Sequence, residues 1–354
     1  MIVRRPVTKK IDDCIQDEID LNQAIADKRR RAYVSLIYGP NPSVSLIANA
    51  ISMANSMKSS QYRRVLMYTS DVPSEYLSLL EDCGLFTEMR EVDYIMGDRA
   101  LFKKDWFREI FTKLHVFNMT EFSRIIFLDL DLVVLDVQKM DAVFDLNCKF
   151  AAMENSKRPT SASMKLDHGD PMLRNCLLIN AGVILVTPNK KLFSILHGDV
   201  TKPEKHHAAG MTPEQFYLAR VMGHQFTHLS QLYNFEVQYH GGVPITNLWK
   251  TKQDIKDIVC LHFSGGSPLS TVSSKLYPAE NMGCQIDKYF VRKAWEADID
   301  PEVQSVANKR AVLAFEAWRK NFIQAMTTLD GKVSGPNITY TTLRGVNQEL
   351  QSRT

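Results

Sequence analysis

Short unbroken apolar stretches alternate along this chain with segments whose apolar residues recur at helical spacing. Residues 31–38, 64–69, 124–135, 150–153, 181–187 and 258–263 are rich in β-branched and aromatic side chains. Such runs predict strands buried on both faces. Between the first two, Gly39-Pro-Asn-Pro42 breaks the chain and Ser43 is a helix cap. A helix follows to about residue 57, with Leu46, Ile47, Ala50, Ile51 and Ala54 on one face. Strand, Gly/Pro break, helix and strand form a βαβ unit with a right-handed crossover, hence a parallel sheet. Further helices are predicted over 74–83, 105–117 and 213–222, the last capped by Thr212, with a short one beginning at 141. The predicted fold class is α/β, a Rossmann-like, mainly parallel central sheet flanked by helices.

Four regions follow from this pattern. Residues 1–31 hold an accessory helix from about 17, residues 32–285 the α/β domain, and residues 286–330 C-terminal helices. Residues 331–354 are polar without a strong period and are expected to be mobile. Residues 155–179 are polar and proline-bearing, a loop long enough to serve function.

Composition narrows the classes. Hydrophobic residues make up 45% and charged residues 23%, which provides for a real core. A formal net charge of +3 argues against nucleic acid or an anionic membrane as the main partner. Lys28-Arg-Arg-Arg31 is a basic cluster read as a solvated face. The six cysteines (Cys14, Cys83, Cys148, Cys176, Cys260 and Cys284) form no Cys-x-x-Cys and no zinc pattern, so reduced thiols in a cytoplasmic protein are expected. No apolar run approaches the roughly 20 residues that span a bilayer.

Asp129 and Asp131, with Leu130 between them, interrupt the apolar run 124–135. Unpaired charge is costly in such a place. Side chains two apart on an extended segment point the same way, so the pair suits a hard cation, Mn²⁺ or Mg²⁺, completed by phosphate oxygens; the plainer account is an aspartate that forms a turn or caps a helix at a strand end. His262, at the end of the last strand, would add an imidazole; a satisfied core histidine is the plainer account, but Gly265 and Gly266 after it could wrap a phosphate with their N–H groups. Lys113, on the helix before the Asp129 strand, could neutralise a diphosphate or be a solvated lysine. Gly39 could admit a ligand to the backbone or simply turn the chain. Glu214 and Gln215 open a helix. His206-His207 is a weak metal candidate. No G-x-G-x-x-G, P-loop or G-x-S-x-G motif is present.

Taken together, Phe111-Thr-Lys-Leu-His115, the segment 124–135, Met140-Asp-Ala-Val-Phe-Asp-Leu146, Asn180-Ala-Gly-Val-Ile-Leu-Val186 and His262-Phe-Ser-Gly265 resemble, in order and spacing, the glycogenin-like retaining glycosyltransferases of family 8, which include galactinol synthases. The likeness spans about residues 32–270. It implies a GT-A fold, a UDP-sugar donor and Mn²⁺. Asp129, Asp131 and His262 match the family's metal ligands, and Lys113 its phosphate-contacting lysine. Asn180 matches the asparagine against the donor sugar. Leu36 and Tyr38 fall where uracil and ribose are held. Gln215 matches the glutamine of a D-Q pair, whereas Glu214 stands where aspartate is usual. The lysine that follows His-Phe-x-Gly in glycogenins is absent from its place; Lys275 would have to fold back to replace it.

The implied activity is hexose transfer with retention to a hydroxyl of a polyol, glycan or protein, by front-face attack with a donor phosphate oxygen taking the acceptor proton. Two other readings stand beside it: a self-glycosylating primer with Tyr340 as target, and a non-catalytic nucleotide-sugar-binding scaffold. The C-terminal helices offer a surface for homodimer pairing.

Overall fold

The computed structural model describes residues 20–98, 106–154, 179–202, 213–222, 225–236, 239–240, 243–244, 257–264, 301–330, 332–333 and 338–352. Strands β1 (Arg31–Ile37), β2 (Arg63–Tyr68), β3 (Glu88–Glu91), β4 (Arg124–Leu128), β6 (Phe150–Glu154), β7 (Ile179–Val186) and β8 (Phe226–Leu229) form one sheet in the order β3-β2-β1-β4-β7-β6-β8. All neighbours run parallel except β7, which is antiparallel to β4 and β6. The architecture is the α/β one expected. Burial on both faces is visible residue by residue. Ile126 and Leu128 enter the core on one side of the sheet, Ile125 and Phe127 the core on the other. That is the period of two of a strand with no wet face.

The helices confirm the local signals. Helix α2 (Val44–Ser56) begins where the Ser43 hydroxyl accepts from the Leu46 N–H, and it is buried nearly all round, between the sheets and the C-terminal part of the chain. Helices α3 (Ser74–Asp82), α6 (Lys190–Val200) and α7 (Pro213–Met222) flank the sheet. Before them, α1 (Leu21–Ala26) is capped by Asp20. Among the described residues no helix is long and apolar enough to cross a membrane.

Five expectations change. The run 124–135 is not one strand: β4 ends at Leu128, and β5 (Leu132–Val134) belongs to a second sheet with β9 (Phe235–Glu236) and β10 (Cys260–His262). Asp129, Leu130 and Asp131 form the turn between them, because two charged residues cannot continue a strand buried on both faces. The segment before it is α-helical only as α4 (Trp106–Glu109), then tightens into a 3-10 helix over Ile110–Phe117. The short helix expected to begin at 141 begins earlier, as α5 (Val137–Ala142), capped by the Asp136 carboxylate. In the basic cluster, Arg31 is buried and ion-paired to Asp145 at 2.6 Å, while Arg30 donates to the Glu121 and Thr120 carbonyls. Finally, the polar tail contains α9 (Ile338–Ser352). Its inward positions are Thr339, Leu343, Val346 and Asn347. They keep helical spacing, but two are polar, which hides the stripe from a hydrophobicity pattern.

Helix α8 (Pro301–Leu329) shares the sheet's core. Trp318 and Phe322 stack at 5.2 Å, and the Trp318 indole N–H donates to Asn49 Oδ1 on α2 at 3.0 Å. The Ser52 hydroxyl donates to the Trp318 carbonyl.

Candidate active site

The turn after β4 places the two aspartates. The Asp129 N–H donates to the Gly182 carbonyl of β7, and the Phe263 N–H donates to the Asp131 carbonyl. Leu130 turns its side chain into the core, leaving only its backbone toward any ligand. His262, at the end of β10, brings Nε2 to 3.3 Å from Asp131 Oδ1. One ligand atom from each of Asp129, Asp131 and His262 lies within 4.8 Å of the others. The two carboxylates are part-exposed and the imidazole is buried. Two oxygens and one imidazole nitrogen, open on one side, fit a divalent cation that takes its remaining ligands from a substrate. Burial works against charge on His262, and Asp131 outweighs it, so the imidazole holds its proton above the ordinary range. Burial likewise opposes ionisation of Asp131, but His262 and Lys113 outweigh it and hold its carboxyl low.

Lys113 is not solvated. It is buried, with Nζ 3.0 Å from Asp129 Oδ1, 3.6 Å from Glu214 Oε1 and 3.3 Å from the Ala181 carbonyl it donates to. Its ammonium also stands 4.9 Å from the Phe127 ring centre. Burial opposes its charge, yet Asp129 and Glu214 raise its pKa above the ordinary value. Glu214, on the first turn of α7, is buried, and its Oε2 has no hydrogen-bond partner among the described residues. Burial pushes its carboxyl up, Lys113 opposes this, and Asp129 adds to it. Gln215 is half-buried beside it.

Asn180 lies inside β7 and is buried. Its Oδ1 accepts from the Gly182 N–H and from Asn234 Nδ2, both at 2.9 Å; its Nδ2 donates to Glu236 Oε1 at 2.8 Å. Asn234 Oδ1 lies 2.8 Å from His262 Nδ1, and the Ser264 hydroxyl donates to Glu236. A Cβ on Gly182 would sit 2.4 Å from His262 Cε1, so only glycine lets the imidazole lie there. Asn234, Glu236 and Gly182 escaped the sequence reading. Gly182 stands within the quoted Asn180-Ala-Gly motif, but nothing local marks the other two.

At the end of β1, Leu36 is buried and Tyr38 half-buried. Burial first, then Glu214 and Asp129, push the Tyr38 hydroxyl's pKa up, which puts it beside the acidic cluster. Gly39 has φ +91°, open to glycine and strained for other residues. Its N–H donates to Thr69, whose hydroxyl donates to Asp71; Tyr94 donates to the same carboxylate. Gly265, Lys275 and His206-His207 lie outside the described residues, as does the cap Thr212.

No family model matches the chain. The chain is similar to the uncharacterized protein R707 of Acanthamoeba polyphaga mimivirus, 28% identical over 239 residues that cover 66% of this chain and 80% of that one. Galactinol synthase 1 of Arabidopsis thaliana is 22% identical over 333 residues, 83% of this chain and 90% of that protein. Among solved structures, mouse xyloside xylosyltransferase 1 aligns with a TM-score of 0.46 at 15% identity, over 67% of this chain and 99% of that one.

Proposed function

We propose that this chain, a relative of the galactinol synthases and so akin to the glycogenin-like glycosyltransferases of family 8, moves a hexose from a UDP-sugar to a hydroxyl acceptor with retention. The observation that carries the reading is the convergence of Asp129, Asp131 and His262 on one point, with Lys113 held between Asp129 and Glu214. Asp129, Asp131 and His262 would hold Mn²⁺ (Mg²⁺ being the other hard cation they suit). When bound, the cation supplies charge stabilisation to the departing UDP.

The remaining work falls to the chain. Lys113 presents a fixed positive charge, already desolvated and oriented, where negative charge develops on the diphosphate. Asn180, clamped by Gly182, Asn234 and Glu236, borders the donor sugar without freedom to swing. Glu214 and Gln215 face the same space from α7 and orient donor and acceptor. Leu36, Tyr38 and Gly39 receive the nucleoside. No side chain needs to act as a covalent nucleophile; a donor phosphate oxygen takes the acceptor proton in a front-face attack. The likeness to galactinol synthases favours a polyol acceptor. Tyr340 gives the self-glycosylating reading no support, since it sits on α9 with its hydroxyl bonded to Asp330 at 2.5 Å.

The test is UDP release with Mn²⁺ across UDP-sugars and polyols. One donor should turn over, chelation should stop it, and Asp129→Ala should lower kcat by roughly 100-fold or more. Undiminished turnover in Asp129→Ala would remove the assignment.

A further inference from the structure

We infer that Asn234 and Glu236 are positioning residues which fix His262 as its Nδ1-protonated tautomer, so that Nε2 offers its lone pair to the cation. The inference rests on the cation site proposed above.

The argument needs only two groups whose hydrogen-bonding sense cannot be reversed. One is the Gly182 backbone N–H, a donor. The other is the Glu236 carboxylate, an acceptor when ionised. Asn180 lies between them. The amide atom facing the Gly182 N–H must be oxygen, and the atom facing Glu236 must be nitrogen. Both ends demand the same orientation. Asn180 Oδ1 also faces Asn234, so the Asn234 atom turned toward it must be the amide nitrogen. Asn234 then has only its oxygen left for His262 Nδ1, 2.8 Å away, and an oxygen there requires a hydrogen on Nδ1. The neutral ring is thereby left with its lone pair on Nε2, the nitrogen that faces Asp131. Every member of the chain is buried, so water cannot substitute for a missing partner.

A ligating histidine commonly donates its other N–H to a carbonyl or carboxylate that orients it. Two asparagines in series supply that oxygen here, and they join the cation ligand to Asn180. The linkage means that the cation site and the donor-sugar wall are set by one hydrogen-bonded unit. Glu236, anchored also by Ser264, fixes the far end.

The experiment measures Mn²⁺ affinity in the presence of UDP, from the electron paramagnetic resonance of free Mn²⁺, for the full chain and its variants. Asn234→Ala should weaken Mn²⁺ by about 10- to 100-fold. The double variant Asn234→Ala/His262→Ala should bind no more weakly than His262→Ala alone, because Asn234 acts only through the imidazole. Glu236→Gln, which keeps an acceptor, should retain most of the affinity that Glu236→Ala loses. Wild-type affinity in Asn234→Ala, or losses that multiply in the double variant, would overturn the inference. The unaltered, metal-free chain gives a second reading that no folding defect can confound. Its ¹⁵N imidazole spectrum at alkaline pH should show Nδ1 protonated, and an Nε2–H tautomer refutes the proposal. Wild-type chain that binds no Mn²⁺ with UDP present refutes the cation site itself, and the tautomer then shows whether the network fails with it.

Discussion

Lys113 is a cation shared by two carboxylates in a place water barely reaches. Removing one partner of such a set leaves buried charge uncompensated, which costs more than the pair contributes. Lys113→Met should therefore destabilise the fold by about 3–5 kcal/mol in urea unfolding. Adding Glu214→Gln should recover much of that loss, because the neutral amide no longer needs the ammonium. Glu214 also sets a pH signature. Its native carboxyl is held above the ordinary value of 4.5, first by burial. The native state thus binds this proton more tightly than the unfolded chain does. Its contribution to stability is present below the ordinary value and is lost as pH rises through the raised one. Glu214→Gln cannot titrate, so its stability relative to the parent should improve as pH rises above the ordinary value and through the raised one, as read from urea midpoints. The aspartates were legible in the sequence because charge within an apolar run must have a reason; Lys113 was marked only by the resemblance, since its local pattern fits a solvated helix lysine equally well. Asn234 and Glu236 were not legible: their partner Asn180 is more than fifty residues away, and an isolated asparagine after Leu232-Tyr233 looks like any turn former.

Among the elements, β7 concentrates the consequences. It supplies the Gly182 carbonyl that holds Asp129, the Ala181 carbonyl that holds Lys113, and Asn180 itself. Gly182→Ala drives a methyl to 2.4 Å from His262 Cε1 and 2.8 Å from Nδ1. The imidazole must move. The expected result is weaker Mn²⁺ binding together with about 1–3 kcal/mol of lost stability, measured by Mn²⁺ titration and thermal unfolding on the same sample. The apolar strands and capped helices were legible because their period is written in adjacent residues. The break after Leu128 was hidden, because β5 resumes the same apolar composition while changing sheets. Helix α9 was hidden for the opposite reason: Thr339 and Asn347 bury polar atoms on its inner face.

At the scale of the whole molecule, α8 and α9 close one side of the core around α2. A chain ending at residue 300 would expose the face that Trp318, Phe322, Met326 and Leu329 cover. Loss of Trp318 alone should cost about 3–5 kcal/mol. Truncation is therefore expected to yield aggregated protein, and size-exclusion chromatography of the shortened chain checks this. The turn holding Asp129 and Asp131 has another consequence at this scale. It is the joint between two sheets: Asp129 is tied to the large one through Gly182, and Asp131 to the small one through Phe263. A guest seated across that joint acts as a rivet. Cargo at a hundred times its dissociation constant would tighten the whole fold by about 2.7 kcal/mol, and the tightening would centre where the sheets meet. The rigidity of the chain would thus become a gauge of its occupancy.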